Sequence, residues 1–316
     1  MRLARVAALL IALAAPAAAA EAPPPFTAPL ERTHALVGRV WLPATGQFIT
    51  VDDQVARARV ADAVLLGETH DNADHHALQA WMLGRLTADG RKPLVAFEMI
   101  DGSQQDSLRR HLEAHPGDAA GLGEALDWGK SGWPDWALYR PVAQTALDAG
   151  AKLASANLPR EQVRAVARGQ DALPLPDLPA DQLALMADEI KTGHCGMLPD
   201  AAVPGMVRVQ RSRDAVMAAA LADGMRDHGR AVLIAGAGHT RADHGVPVAL
   251  AARMPGATVL ALAFIEVKAE QNDPAAYGEL FDTSRLPFDA VWFTPRAERE
   301  DQCEALKRHM EKKKAG

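Results

Sequence analysis

Glutamate and histidine side chains stand directly after short apolar runs at several places in this sequence. VLLGETHD carries Glu68 and His70, VAFE ends in Glu98, and VLIAGAGH ends in His239. Buried strands do not hold polar groups without partners, so we expect these side chains to meet in one polar pocket. Carboxylates and imidazoles in such a pocket can accept and donate protons, which is the chemistry of general acid–base catalysis.

Each of these residues also has a plain structural explanation. An isolated glutamate at a strand end is most often a helix cap or a salt-bridge partner, so the functional interpretation rests on the convergence of all four. His75 and His76 follow in the same segment. His75 shares a helix face with apolar residues and could point into the pocket, whereas His76 is equally well explained as solvated. HDNADHH lacks the HExxH spacing of zinc hydrolases, which argues against a metal site here.

Bringing the four residues together requires a sheet whose strands end at one edge. Short apolar runs predict strands at residues 63–67, 93–99, 152–156, 231–235, 258–267 and 290–293. Amphipathic segments predict helices at residues 72–86, 103–113, 141–149, 160–168 and 246–254. This alternation predicts an α/β fold with a mainly parallel sheet flanked by helices. In such sheets ligands bind beyond the carboxyl ends of the strands, where all four residues would lie.

A region without predicted strands interrupts the alternation. It opens with LPLPDLP at residues 173–179 and runs to about residue 228, with a strong helical segment at 207–225. We interpret it as a helical insertion packed over one end of the sheet, serving either as a lid or dimer surface or as structural filler. A last, strongly charged helix is predicted at about residues 296–314.

The N-terminus has the composition of an export signal. Arg2 and Arg5 precede an apolar stretch and a run of alanines, so residues 1–20 are predicted to be a cleavable signal peptide. Residues 21–33 are then a proline-rich, extended leader, and residues 34–316 form a single domain. No cysteine lies beside the cleavage site for lipid attachment, so the simplest destination is the periplasm.

Charge and cysteine content narrow the possible partners. Removing two of the 34 basic residues with the signal peptide leaves 32 against 40 acidic ones, a formal charge of −8. This acidic balance argues against nucleic acid as a partner. Cys195 and Cys303 are the only cysteines, and a disulfide between them is a possibility that the sequence leaves open.

A series of segments across most of the chain resembles one known family. The segments are LLGETHDNADHHALQ, VAFEM, SGWPDWALYRP, ANLPR, GHCGMLP, QRSRDAVMA and GAGHTRADHGVP, in this order from about residue 65 to 247. They resemble the ChaN-like haem-binding proteins of the Tiki superfamily. The resemblance implies an exported bacterial protein with an α/β core that takes part in iron or haem acquisition, with an outer-membrane haem-uptake system as a partner.

The resemblance also implies how haem would be held. In that family a tyrosine ligates the iron at a dimer interface, and a histidine and a lysine of the other subunit meet the propionates. Transferred to this sequence, Tyr139 is the iron ligand, with Tyr277 as the alternative. Lys191 and His194 are the residues for the propionates, and a homodimer is implied.

The wider superfamily is similar to erythromycin esterase-like enzymes, in which a comparable set of residues activates water. The matching residues here are Glu68, His70, Glu98, Arg213 and His239. The second hypothesis is therefore a hydrolase in which His70 or Glu98 is the general base. His239 and Arg213 would stabilise the developing oxyanion, with or without a bound divalent metal ion. The resemblance favours haem binding, although both functions can coexist in one protein.

Overall fold

A computed structural model describes residues 22–170 and 173–315 of the protein. The predicted signal peptide lies outside this part of the chain. The strands are β1 (Val40–Leu42), β2 (Gln47–Ile49), β3 (Ala63–Glu68), β4 (Leu94–Asp101), β5 (Lys152–Asn157), β6 (Ala231–Gly236), β7 (Val259–Glu266) and β8 (Ala290–Thr294). They form one sheet in the order β2-β1-β8-β7-β3-β6-β4-β5.

The predicted α/β fold class is confirmed, and all six predicted strands are present. Strand β3 pairs in parallel with β6 and β7, and β4, β5 and β8 extend the parallel part on either side. The edge strands β1 and β2 are antiparallel. The sequence did not predict these two strands, because each has three residues and is too short to show a period.

Helices flank this sheet. They are α1 (Val51–Val60), α2 (Ala73–Thr87), α3 (Gln105–Ala114), α4 (Leu122–Ala125), α5 (Trp136–Asp148), α6 (Arg160–Ala167), α7 (Ala180–Gly193), α8 (Val203–His228), α9 (Val246–Arg253) and α10 (Gln302–Ala315). Helix α5 begins before its predicted start because Asp135 caps it and accepts from Ala137 N, which leaves Pro141 inside the helix. No helix in residues 22–170 or 173–315 combines the length and apolar character needed to cross a membrane.

Side chains of the central strands alternate between two core layers. Val64 and Leu66 of β3 share a layer with Met82 of α2. Leu65 shares the opposite layer with Leu221 of α8. Every residue of β3 and β6 is buried, so helices cover both faces of the sheet. The strand ends are consequently held rigidly and can position side chains.

The region predicted as a helical insertion is helical, but much of it belongs to the core. Helices α7 and α8 cover most of residues 173–228, and α7 packs chiefly against α8. Met217 and Leu221 of α8 lie in the same apolar layer as Leu233 of β6. The C-terminal half of α8 is therefore the helix that crosses over the sheet face before β6, and not a cover over one end.

The proline-rich leader is extended but is attached to the domain. Thr27 and Ala28 donate their backbone N–H groups to the Asp74 carboxylate at 2.7 and 2.9 Å, and Thr27 Oγ1 donates to it at 2.7 Å. Ala28 is buried, and Leu30 forms a backbone bridge with Arg296. The leader therefore stabilises the start of α2, whose first turn carries Asp74.

A disulfide joins Cys195, directly after α7, to Cys303 in the first turn of α10. The described ion pairs of α10 connect neighbours in sequence, Lys307 with Glu304 and Arg308 with Glu300. The disulfide is therefore the strongest described link between α10 and the rest of the protein.

We expect the double variant Cys195→Ser/Cys303→Ser to release α10 without unfolding the core. Limited trypsin treatment should then remove the lysine-rich end several-fold faster than from the oxidised wild type, as followed by intact mass. The thermal unfolding of the remaining domain should change little, because the apolar layers do not include α10. Equal cleavage rates in the two proteins would show that other contacts hold the helix.

Candidate acid–base site at the strand ends

Six ionisable side chains form a row at the carboxyl ends of the central strands. In spatial order they are Asp214, His239, Glu98, His70, Glu68 and His76, and we call this set the carboxylate–imidazole row. Strands β3 and β4 carry the two glutamates. A 3-10 turn after β6, Ala237–Thr240, carries His239, and α8 supplies Asp214. Side chains that are distant in sequence therefore meet, because the strands that carry or precede them end at the same edge of the sheet.

His239 lies between two carboxylates. Its Nδ1 is 2.6 Å from Asp214 Oδ1, and its Nε2 is 3.2 Å from Glu98 Oε1. Burial by itself would lower the pKa of His239, but the carboxylates of Glu98 and Asp214 outweigh it and raise the pKa to about 10. His239 is therefore an imidazolium at neutral pH, with both nitrogens donating.

The outer half of the row repeats this pairing. His70 Nδ1 is 2.9 Å from Glu68 Oε1, and its Nε2 is 3.9 Å from Glu98 Oε2. His76 Nδ1 lies 2.9 Å from Glu68 Oε2, but it is not aligned as a hydrogen bond, so this contact is chiefly coulombic. Burial would raise the pKa of Glu68, yet His76 and His70 hold it at about 2. Burial opposes protonation of His70, but Glu98 and Glu68 raise its pKa.

Backbone groups fix Glu98 in the row. Gly236 N donates to Glu98 Oε2 at 2.8 Å, and Asn157 Nδ2 donates to the Glu98 carbonyl at 2.8 Å. A Cβ at position 236 would come within 2.9 Å of His70 Nε2, so glycine leaves room for the imidazole. Burial would raise the pKa of Glu98, but His239 and His70 hold it far below its usual range.

His70 is the member of the row that a ligand can reach. Its side chain is 32% exposed, whereas the side chain of Glu98 is 3% exposed and that of His239 is 7% exposed. The His70 ring packs against Trp133 with centroids 4.9 Å apart. His70 is therefore the most exposed of these three side chains to a bound molecule.

Two clefts of about 700 Å³ each open beside the row. The first, which we call the β4–β5 cleft, includes Glu98, Asn157 and Arg213 among its lining residues. The second, the β3–β7 cleft, includes His70 and Phe264. Both volumes are in the range of small-molecule sites. The row thus lies where ligands bind in open α/β sheets.

The structure brings Glu68, His70, Glu98 and His239 together, while their catalytic roles stay predictions. Arg213 lines the β4–β5 cleft and has no described contact with the row. His239 is buried with both nitrogens engaged, so in this conformation it cannot also donate to an oxyanion. The contact between His239 Nε2 and Glu98 Oε1 instead allows His239 to orient the Glu98 carboxylate.

Tyr139, the expected iron ligand, is fully buried. Its hydroxyl donates to the His70 carbonyl at 3.4 Å, and its ring packs against His76 with centroids 4.4 Å apart. Burial and the nearby Glu68 raise its pKa, which disfavours the tyrosinate. Tyr277 is also fully buried, and its hydroxyl donates to the Gln271 carbonyl at 3.0 Å. Neither hydroxyl is open to a ligand in this conformation.

Lys191 and His194, expected at the propionates, lie at the C-terminal end of α7 and have no described contact with the row. Lys191 Nζ is 3.2 Å from Asp200 Oδ1. His194 Nδ1 donates to the Ile190 carbonyl at 2.7 Å, and its Nε2 has no partner among the described residues. These two residues form a separate, partly exposed group near the disulfide.

The expectations for His75 and His76 are reversed in the structure. His76 is 1% exposed and belongs to the row, and its Nε2 donates to the His70 carbonyl at 2.9 Å. His75 faces β8, where its Nε2 is 2.8 Å from Thr294 Oγ1. Its Nδ1 accepts from Thr69 N, and burial lowers its pKa to about 4. The helical period did not reveal this, because both residues lie at the covered start of α2.

Sequence reasoning missed two members of the polar site. Asp214 anchors His239, and the Gln210 amide lies 3.3 Å from the His239 ring nitrogens. Both are on α8, one turn apart, within the QRSRDAVMA segment. The signal that could have revealed them is a pair of polar residues, Gln210 and Asp214, at helical spacing beside small residues.

Within the described residues, no group of three or more histidine, cysteine, aspartate and glutamate side chains is arranged to hold a metal ion. The row explains this, because each carboxylate has an oxygen directed at an imidazole. The divalent metal considered for a hydrolase therefore has no supporting donor set here.

The fold and the row define the chain as an α/β protein with a polar site at its strand ends, and comparison with known proteins identifies its family. A family model described as "Haem-binding uptake, Tiki superfamily, ChaN" matches residues 54–250. The chain belongs to this family. No curated protein matches the sequence.

Solved structures are similar to this chain to different degrees. ChaN of Campylobacter jejuni, whose structure is described as cofacial heme binding, is 22% identical with a TM-score of 0.65, covering 80% of this chain and 95% of that chain. The type III effector HopBA1 is 14% identical with a TM-score of 0.45, covering 83% and 98%. A mutant of the erythromycin esterase EreC is 12% identical with a TM-score of 0.42, covering 84% and 99%.

The pairing of His239 predicts a loss of stability on the alkaline side. Its folded pKa of about 10 lies above the ordinary value of 6.5, so its contribution is complete below about pH 6.5 and is lost as the pH rises through 10. Urea unfolding of the wild type between pH 6.5 and 10 should include a slope of up to about 1.4 kcal/mol per pH unit from this residue. His239→Gln should remove that slope.

The control is His115→Gln, which changes an exposed histidine at the end of α3. It should reproduce the wild-type slope. If His239→Gln and the wild type lose stability in parallel over this pH range, His239 is not held as an imidazolium.

Proposed function

We propose that this protein binds haem and works in haem or iron acquisition outside the cytoplasm. The observation that carries the proposal is the family match over residues 54–250, because the family is described as haem-binding uptake. The structure of ChaN of Campylobacter jejuni, which shares the fold, is described as showing cofacial heme binding. We extend this to a homodimer that holds haem at its interface, since cofacial haem groups require two facing sites.

The tyrosine ligation implied by the resemblance does not fit the described side chains. The sequence contains two tyrosines, and both are fully buried with engaged hydroxyls. Freeing Tyr139 would also expose the His70 carbonyl, which it shares as an acceptor with His76. Tyrosine ligation therefore stays a prediction that requires the core beside the row to rearrange.

His194 fits an iron ligand without such a rearrangement. Bound haem would supply a ferric iron that an imidazole nitrogen could ligate. The Nδ1 of His194 donates to the Ile190 carbonyl, which fixes the ring and leaves the lone pair of Nε2 available. Lys191, one turn earlier, is 44% exposed and can pair with a propionate carboxylate. Both residues precede the cysteine of the disulfide that holds this end of α7.

Export is proposed on two grounds. Residues 1–20 have the pattern of a signal peptide. The Cys195–Cys303 disulfide is of a kind that forms and persists in oxidising compartments such as the periplasm. An outer-membrane haem-uptake system is the partner that we propose for an exported haem-binding protein.

Haemin titration of the mature protein, isolated from a periplasmic extract, tests this function. We expect a saturable Soret band distinct from that of free haemin, together with a shift to dimer on size exclusion. Tyr139→Phe should retain the band, because the ligand that we propose is His194 and not the buried Tyr139 hydroxyl. His194→Ala should weaken binding at least about tenfold, since an axial ligand is lost.

His115→Ala is the matched control and should bind as the wild type does. A spectrum identical to that of free haemin would refute haem binding. Loss of the band in Tyr139→Phe, with His194→Ala unaffected, would restore tyrosine as the ligand.

The carboxylate–imidazole row favours a second function, acid–base hydrolysis of an ester. Water adding to the ester carbonyl would pass its proton to Glu98, and the leaving alkoxide would take a proton from the His70 imidazolium. Glu98 Oε2 lies 3.9 Å from His70 Nε2, and a small shift of the His70 ring would bring the two atoms into hydrogen-bond reach, so that the proton returns and both groups are restored. The raised pKa of His70 suits a donor, and the strongly lowered pKa of Glu98 makes it a weak base.

Turnover of p-nitrophenyl acetate tests the second function. His70→Gln and Glu98→Gln should each lower kcat/KM at least about 100-fold, because each removes a proton-transfer group. The wild-type rate should fall at alkaline pH, as His70 loses its proton. His115→Gln should match the wild type. Turnover that survives the loss of both groups would exclude the row as the catalytic site.

A further inference from the structure

The β4–β5 cleft contains an excess of cationic groups. Its basic lining residues are Lys130, Arg160, Arg164 and Arg213, and its acidic lining residues are Glu98, Asp101 and Asp127. The acids already have partners. Asp101 accepts from Ser103 N and Oγ, Asp127 pairs with Lys130 at 3.2 Å, and Glu98 belongs to the row.

Arg213 is the best placed of the cations. Its Nε is buried without a hydrogen-bond partner, and no acceptor for its guanidinium is described in residues 22–170 or 173–315. A buried N–H without an acceptor is costly, so such a group in a native protein calls for an explanation. The next residue on α8, Asp214, is anchored to His239, which holds this part of the helix beside the row. An oxyanion in the cleft would supply the missing acceptor.

Arg160 and Arg164 add to this surface from one face of α6. Arg160 Nη2 donates to the Lys130 and Ser131 carbonyls at 3.0 and 2.7 Å, which secures the loop that places Trp133 against His70. Arg164 lies one turn along the helix, with no acceptor described for it within the same residues. Two guanidinium groups with no acceptor among the described residues therefore line the cleft that Glu98 also lines. His70 borders the neighbouring β3–β7 cleft, with its Nε2 3.9 Å from Glu98 Oε2.

We propose that the β4–β5 cleft is an oxyanion-binding subsite, in which Arg213 and Arg164 hold a phosphate or carboxylate group of the ligand. The planar fork of arginine matches both groups. The rest of the molecule then lies beside Glu98, whose Oε2 is 3.9 Å from His70 Nε2. The substrate class is accordingly an ester with an anionic group. This assignment of a substrate rests on the acid–base function proposed above, whereas the binding of an anion in the cleft does not.

Binding is tested with inorganic phosphate and with succinate, by calorimetry on the disulfide-bonded protein, against sodium chloride at matched ionic strength. Saturable binding should appear with at least one of the two anions. Arg213→Gln should weaken it at least tenfold, and Arg164→Gln should weaken it less. Arg168→Gln is the matched control, because Arg168 follows α6 and its Nε donates to Gln170 outside the cleft.

The comparison of the two anions identifies the preferred group, and Glu98→Gln separates binding from catalysis. Glu98→Gln should lose ester turnover and still bind the anion. Without saturable binding, or with equal losses in Arg213→Gln and Arg168→Gln, the subsite is refuted even when p-nitrophenyl acetate is hydrolysed. Anion binding without any turnover would leave the subsite standing and remove the hydrolase.

The substrate class is tested by comparing mono-p-nitrophenyl succinate with p-nitrophenyl acetate. The wild type should show a higher kcat/KM for the anionic ester, mainly through a lower KM. Arg213→Gln should reduce that preference at least tenfold, and Arg168→Gln should keep it. An unchanged preference in Arg213→Gln would overturn the assignment of Arg213.

Discussion

Burial of charge is the constraint on which this site depends. Three carboxylates and three imidazoles lie at the ends of a sheet whose central strands are covered on both faces, where an unpaired charge would be costly. The row meets this constraint by alternation, because each imidazole lies between or beside carboxylates whose charge offsets its own. Removing one member leaves its neighbours without a partner. The row therefore behaves as one unit.

The same constraint divides the members of the row into different roles. His239, Glu98 and Asp214 are enclosed, and their hydrogen-bonding atoms face one another. His70 has the same kind of carboxylate partners but lies at the boundary of the clefts, so it alone combines a raised pKa with access to a ligand. Gly236 supports this arrangement by leaving room for the imidazole, and the Asn157 side-chain amide supports it by donating to the backbone of strand β4.

The proposed haem site and the acid–base site lie in different parts of the molecule. The description of the family concerns haem, and the iron ligand that we propose, His194, is at the end of α7 beside the disulfide. The proton-transfer groups are at the strand ends, and the clefts open there. Because the two regions share no described contact, a haem site at α7 and an acid–base site at the sheet are physically compatible.

The sequence by itself determined six of the eight described strands, since apolar runs and helical periods are local properties. It also determined that Glu68, His70, Glu98 and His239 would lie at or near strand ends. Tertiary structure decided how each side chain is used. The burial of Tyr139, the exchange of roles between His75 and His76, and the anchoring of His239 by Asp214 depend on which face of α2, α5 or α8 meets the sheet. The Cys195–Cys303 bond likewise depends on where α10 lies. Local pattern cannot supply this information, because the free energy of a buried polar group is set by partners that are distant in sequence.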